Sequence, residues 1–306
     1  MSGESVFIRP NLIIEGLVDQ FYAWTYLIPP ATAAMSLANR QLPILESFVA
    51  QPQIHVDAVA NRRMRGGLFV GYESGRASEI DALRKRIARQ NRELLELAEA
   101  VSAADQLLRD QASGFDLTPL YEHLRAALGG FVELVYDREH RANLRFVEPA
   151  LYLSRYHREA RQSVELLLDT GAERPFIFST PRLPHEGHLQ LPLPFRHPGI
   201  DTLSSMRTSP RSVDSLRDVL EIEDDAVASR LRSYLTAQPL LRHDTHAASG
   251  GRIRYFGHAC LLIQSPTVNI IVDPFISGNT NAADDRLTYA DLPDHIDFCL
   301  ITHGHP

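Results

Sequence analysis

Leu300-Ile301-Thr302-His303-Gly304-His305-Pro306 is the stretch whose reading decides the fold. The apolar run Phe298–Ile301 has the texture of a buried strand, and Thr-His-x-His follows it directly. A strand end is a rigid mount. Two imidazoles two positions apart in the loop beyond it reach one divalent ion, because neutral imidazole is a favoured ligand for such ions. His303 and His305 are therefore the candidate metal ligands. A lone His-x-His is weak evidence. Here it gains weight from the strand before it and from Asp273-Pro274, a strand-end pair upstream.

Working back from that end, short strand-like runs cover Arg252–Phe256, Cys260–Gln264, Val268–Val272 and Phe298–Ile301. Turn signals separate them at Gly257-His258, Ser265-Pro266 and Asp273-Pro274. The polar, glycine-ending segment His243–Gly251 reads as a linker. The chain thus divides into an α+β amino-terminal domain, residues 1–248, and the opening of a strand-first domain, 249–306. Cys260 and Cys299 lie in apolar strand runs without the spacing of a metal knuckle, so both read as core residues.

The first domain has its own pattern. Leu12–Val18 reads as a strand, followed by the aromatic cluster Phe21, Tyr22, Trp24 and Tyr26. Pro29-Pro30 opens a helix to about Val49, and a shorter one runs from Gln53 to Arg65. After Ser78, a candidate N-cap, apolar residues at Ile80, Leu83, Ile87, Leu94, Ala98, Val101 and Leu108 mark the stripe of one long helix. Arg84, Lys85, Arg86, Arg89 and Arg92 form its basic face. A further helix is expected over Leu117–Leu128, ending at Gly129-Gly130. Strands are expected at Phe131–Tyr136, Leu144–Val147, Ser163–Leu168 and Pro175–Phe178, then a loop over 181–199 and a helix near Asp224–Leu235.

Bulk properties narrow the class. A chain of 306 residues with 44% hydrophobic and 23% charged residues suits two globular domains. A net charge of −7 gives nucleic acid no electrostatic attraction. Lys85 is the single lysine against a large excess of arginine, a bias of coding composition rather than of function. The start, Met1-Ser-Gly-Glu-Ser-Val6, has neither a basic segment nor an apolar one, and no stretch is long and apolar enough to span a membrane. The expectation is a cytoplasmic protein without a membrane or nucleic-acid partner.

Arg254-Tyr-Phe-Gly-His-Ala-Cys-Leu-Leu-Ile263, Asn269-Ile-Ile-Val-Asp-Pro-Phe275 and Cys299-Leu-Ile-Thr-His-Gly-His305 resemble the opening of the metallo-β-lactamase fold. In that superfamily the last motif runs Thr-His-x-His-x-Asp-His and builds a two-metal site. The resemblance implies that His303 and His305 bind the first metal, and that an Asp and a further His lie past Pro306. It also implies that Asp273 holds the ligand loop by hydrogen bonds without touching metal; an Asp-Pro turn is the plainer reading. His258 follows Gly257 in the family's Gly-His hairpin and is placed near the metal cleft, with a structural histidine as the alternative. On this reading the fold is an α+β domain followed by the first strands of an incomplete αββα domain.

Arg9–Asp19, Tyr22-Ala-Trp24, Pro30–Ala34, Gly130–Tyr136 and Arg174–Arg182 resemble the amino-terminal domain of the chloramphenicol-biosynthesis β-hydroxylase family. That resemblance implies two iron ions, O2 and an external electron donor. The reaction it implies is β-hydroxylation of an amino acid tethered to a carrier domain of a nonribosomal peptide synthetase, by a homodimer whose first domain shapes access to the site. The basic stripe Arg84–Arg92 is then a candidate surface for an acidic carrier. Two other readings stay open: a dinuclear zinc hydrolase acting on an ester, lactam, thioester or phosphodiester, and a non-catalytic fragment. If the chain is truncated inside the ligand motif, residues 252–306 are expected to be poorly stable alone and metal affinity low.

Overall fold

The computed structural model describes residues 5–171, 174, 176–240, 247–276 and 287–303. In chain order, β1 (Ser5–Ile8), β2 (Leu12–Val18) and β3 (Phe21–Tyr22) lead into α1 (Pro30–Ser36), α2 (Leu42–Ala50), α3 (Pro52–Ala60), α4 (Ala77–Gln90) and α5 (Arg92–Gln111). The strands β4 (Val132–Tyr136) and β5 (Ala142–Phe146), the short α6 (Glu148–Tyr152) and β6 (Gln162–Leu168) follow. Next come β7 (Leu189–Leu191), α7 (Pro198–Ser205), β8 (Arg211–Ser212), α8 (Val213–Val219), α9 (Asp225–Arg232) and β9 (Leu235–Thr236). The series finishes with β10 (Arg252–Gly257), β11 (Cys260–Gln264), β12 (Asn269–Val272) and β13 (Phe298–Leu300). The chain gathers into two compact units, one of Met1–Gly16, Ser163–Glu173 and Pro184–Pro306, the other of Leu17–Gln162 and Arg174–Leu183.

The second unit is mainly helical, and it departs from the sequence expectations in instructive places. The helix expected from Pro30 to Val49 is interrupted by a π turn over Leu37–Gln41, where the Leu42 N–H reaches back to Leu37 O. Pro43 explains this: it has no N–H to give and its ring crowds the preceding turn, so the helix widens locally. The single helix expected after Ser78 begins at Ala77, with no side-chain cap, and breaks at Asn91 into α4 and α5. Asn91 is buried, with backbone at φ −115°, ψ 28°. Its amide donates to Ile87 O at 2.9 Å and to Asp19 Oδ2 at 3.2 Å. The same carboxylate oxygen takes Arg161 Nε and Nη2 at 2.9 and 2.7 Å. A buried charge cluster therefore sits where periodicity alone predicts continuous helix.

Leu117–Leu128, expected as a helix, forms two 3₁₀ turns, Thr118–His123 and Ala126–Leu128. Leu117 and Leu120 both enter a small core with Leu108 and Leu134. A spacing of three puts side chains in line on a 3₁₀ turn, which suits that packing. The strand expected at Pro175–Phe178 is instead a turn over 176–179, closed by Thr180 N to Phe176 O at 2.9 Å. Pro175 lies outside the described residues.

In the first unit β1 lies between β8 and β9, and β6 pairs antiparallel with β7 through Val164↔Leu191 and Leu166↔Leu189. That pairing places a strand within 181–199, expected as loop throughout. Leu203, Met206, Leu216 and Leu231 pack on these strands in one apolar core. The helix expected near Asp224–Leu235 is α9, and Asp224 caps it by accepting from Ala226 N.

Strands β10 to β13 form a sheet in that order, antiparallel at its first two joints and parallel between β12 and β13. One face buries Phe256, Cys260, Leu262 and Ile271 beneath Ile276, Leu287, Leu292 and Ile296. Arg254 fixes that cover by donating to Asp291 O at 2.6 Å and Asp291 Oδ1 at 2.7 Å. The other face carries Ile253, Tyr255, Ile263, Phe298 and Leu300, all exposed. Cys299 is exposed as well, against the expectation of a core residue, because β13 is an edge strand; Cys260 is buried as expected. Within the same unit, the half-buried Arg207 guanidinium lies 4.0 Å from the Tyr289 ring centre and donates to Leu12 O at 3.0 Å.

Candidate metal centre

Parallel pairing sets Val272 opposite Leu300, so β12 and β13 end side by side. Asp273 and Thr302 leave those two ends. Asp273 N donates to Leu300 O at 2.8 Å, which seats the aspartate against the neighbouring strand end. Its backbone has φ 42°, a left-handed conformation that aspartate tolerates better than most residues and that costs free energy elsewhere. The return is a double contact: Thr302 N donates to Asp273 Oδ1 at 2.8 Å and Thr302 Oγ1 to Oδ2 at 2.6 Å.

The hydroxyl then links to the imidazole. Thr302 Oγ1 is 2.8 Å from His303 Nδ1. A threonine hydroxyl has one hydrogen, and the short contact commits it to the carboxylate. Toward His303 the oxygen can only accept, so Nδ1 carries the proton and Nε2 keeps its electron pair in the neutral ring. The Asp273 carboxylate, 3.9 Å from Nδ1, reinforces this tautomer. The His303 side chain is 48% exposed. A neutral, oriented and accessible imidazole is the form that ligates a divalent cation, so the donor chemistry present fits a metal.

The structure thus brings Asp273, Thr302 and His303 together. His305 lies outside the described residues. His258 sits in the turn between β10 and β11 at φ 56°, after Gly257 at φ 105°. Its carbonyl accepts from Tyr255 Oη at 2.8 Å, and its ring centre is 5.8 Å from that of Phe275. Among the described residues no group of three or more His, Cys, Asp or Glu converges as a complete ion site. Sequence reasoning noted Thr302 only as context; its part in fixing the tautomer needs the two-strand geometry. The signal for it was present in the residue preceding His303. On α4, Arg84 and Lys85 both pair with Asp81, so the expected basic stripe is partly neutralised, and the same contacts hold the Asp81 carboxyl below its ordinary range. No helix among the described residues is long and apolar enough to cross a membrane.

Comparison with known proteins bears on the whole chain. The model described as the diiron non-heme beta-hydroxylase N-terminal domain matches residues 7–239, and that of the beta-lactamase superfamily domain matches 252–306. A 4-amino-L-phenylalanyl-[peptidyl-carrier-protein] 3-hydroxylase of Streptomyces venezuelae is 34% identical over 305 residues, covering 97% of this chain and 57% of the relative. A UPF0173 metal-dependent hydrolase of Methanopyrus kandleri is 41% identical over 56 residues, 18% of this chain and 21% of its own. The crystal structure of a diiron beta-hydroxylase from S. venezuelae superposes with a TM-score of 0.84 at 32% identity, covering 99% of this chain and 57% of the other. A point mutant of a beta-hydroxylase of the same name gives 0.84 at 33% identity, covering 98% and 57%. The chain therefore spans somewhat over half the length of these hydroxylases.

Proposed function

The chain belongs to the diiron non-heme beta-hydroxylase family through its amino-terminal domain, and on that premise we propose that it serves a dinuclear-iron monooxygenase. The reaction is β-hydroxylation of an amino acid held on a carrier domain of a nonribosomal peptide synthetase, in natural-product biosynthesis. The observation that carries this reading is the family match over residues 7–239, a region a beta-lactamase-type domain does not itself require. The relative from S. venezuelae is named for such an activity on a carrier-bound amino acid.

In this reading His303 binds the first iron through Nε2, and His305 is its companion ligand. Iron supplies the redox chemistry that uses O2 and electrons from an external donor. The chain's own residues do the rest. Asp273 anchors the loop through the Thr302 amide and hydroxyl, and Thr302 keeps the proton on His303 Nδ1. His258 and Phe275 lie in the two turns beside that loop and belong to the wall of the site. The enzyme acts as a homodimer in the cytoplasm. Anaerobic loading of the protein with ferrous iron, then O2 and an aminoacyl carrier domain, should add one oxygen atom to the tethered amino acid by intact-protein mass spectrometry. Iron uptake without any such mass gain across a panel of aminoacyl groups would defeat the oxygenase reading.

A second reading is metal-dependent hydrolysis, favoured by the 56-residue match to the M. kandleri hydrolase. It predicts zinc in the isolated protein and turnover of a chromogenic ester, with no dependence on O2.

A further inference from the structure

Residues 52–71 of the helical unit present a surface that the metal centre does not use. α3 turns His55 and Ala58 inward, and the chain beyond it folds back. Asn61 Oδ1 accepts from Arg63 N at 3.0 Å and starts the 3₁₀ turn Arg62–Met64. Gly66, at φ 78°, and Gly67 reverse the direction; a Cβ on Gly67 would meet Met64 O at 2.9 Å. His55 pins the return: its Nδ1 accepts from Val70 N at 3.0 Å, and its ring centre is 5.5 Å from that of Phe69. An arginine-bearing loop is thereby held against a helix.

The charge of this segment runs against that of the molecule. Between Pro52 and Gly71 stand three arginines, Arg62, Arg63 and Arg65, and one acid, Asp57, in a chain of net charge −7. Asp57 is engaged by Gln53 Nε2 at 2.8 Å. Arg62 and Arg63 are exposed, and neither side chain has an ion pair among the described residues. The stripe expected on α4 differs, since Arg84 and Lys85 there both pair with Asp81. The same segment exposes Ile54, Val59, Met64 and Leu68. Single exposed apolar side chains need no explanation, but four on one pinned segment mark a contact surface. Arginine and methionine are also the residues that protein interfaces favour.

We propose that this surface docks the carrier domain, through a helix face on that domain that is acidic with apolar residues between its carboxylates. The proposal rests on the oxygenase reading above, in which the substrate arrives tethered and its carrier must be recognised. Charge complementarity selects the occupant. The negative charge of the chain as a whole disfavours an acidic partner, so encounter is steered to a segment where arginines outnumber carboxylates. Arg62 and Arg63 pair with the carboxylates, while Ile54, Met64 and Leu68 cover the apolar residues of the docked helix.

The test measures binding of the full chain to a panel of holo peptidyl carrier domains by isothermal titration calorimetry. Arg62→Glu combined with Arg63→Glu should weaken the best-bound carrier at least about tenfold at low salt, a difference that shrinks as salt is raised. Leu68→Ser should weaken it alike at low and high salt. The control, Arg86→Glu combined with Arg89→Glu on α4, should stay within about twofold of the parent. All these side chains are exposed, so circular dichroism should not change. Carrier affinity unaltered in the Arg62/Arg63 variant, or lost equally in the control, overturns this surface and leaves the oxygenase reading intact. Failure of every carrier to bind the parent overturns it too, and the oxygen-addition assay then decides the oxygenase reading separately. Loss of binding to phosphatidylglycerol vesicles in the Arg62/Arg63 variant, with carrier affinity unmoved, assigns the surface to lipid and overturns the proposal as well.

Discussion

Thr302 is where the site is most exposed to a single-atom change. Thr302→Val keeps the shape and removes the hydroxyl, freeing His303 to take either tautomer; Thr302→Ser restores the hydroxyl. Outer contacts of this kind are worth about 10- to 100-fold in metal affinity. Chelator competition with ferrous iron should therefore show a loss of that size for Thr302→Val and near-parental binding for Thr302→Ser. Asp273→Ala should do at least as much damage, because it also releases the Thr302 amide. His55 offers a residue-scale test of a different sort. Its Nδ1 accepts from Val70 N at 3.0 Å and its Nε2 lies 3.2 Å from Ser47 Oγ, so the buried ring is neutral, and burial pushes its pKa down. Between that lowered value and the ordinary 6.5, the unfolded chain binds more protons than the folded one. The stability due to His55 is thus complete above pH 6.5 and drains away as pH falls toward the folded value. In urea titrations from pH 7.5 to 5, the advantage of the parent over His55→Phe should shrink steadily.

At the scale of elements, the α4–α5 break is held by the Asp19–Arg161–Asn91 cluster. Replacing Arg161 by Met strands a buried carboxylate, which typically costs about 3–5 kcal/mol, while replacing Asp19 and Arg161 together by apolar residues should recover much of the loss. Chemical denaturation of the two variants checks this. The cluster also marks the limit of reading elements from sequence. Ile80, Leu83, Ile87, Leu94 and Leu108 all fall on buried faces as their spacing requires, yet nothing in that spacing reveals that Asn91 is claimed by a carboxylate 72 positions earlier. Pro43 could have been weighed and gives the π turn a visible cause. By contrast, β10, β11, β12 and β13 were legible almost residue for residue, since short apolar runs between Gly, Pro and Asp turns have few other ways to fold. At the site, the strand-end placement of His303 and Asp273 was legible in the sequence, whereas the part of Asp273 in holding the loop was suggested only by the family resemblance. The hydrogen-bond path through Thr302 was not legible, because it depends on a pairing between distant strands.

For the whole molecule, the contact of Arg207 with Tyr289 joins the segment matched to the beta-hydroxylase domain to that matched to the beta-lactamase superfamily. A cation–π pair between half-buried groups is worth about 1 kcal/mol, and partial burial pulls the Arg207 pKa down. Tyr289→Leu should lower the melting temperature, and amide exchange should quicken in β10 to β13 more than in α4 and α5. Residues 252–306 prepared alone should give poorly dispersed NMR spectra, because one sheet face is apolar and exposed and the core beneath the other is small.

The parallel joint between β12 and β13 has a kinetic meaning as well. Two strands running the same way cannot be linked by a tight turn, and here the connection runs from Asp273 to Asp297. Bringing together strands so far apart in the chain precedes any reward from their contacts, so the Thr302 bonds to Asp273 should be among the last to form during refolding. Competence to capture a cation should consequently lag behind the recovery of helical signal in a stopped-flow experiment.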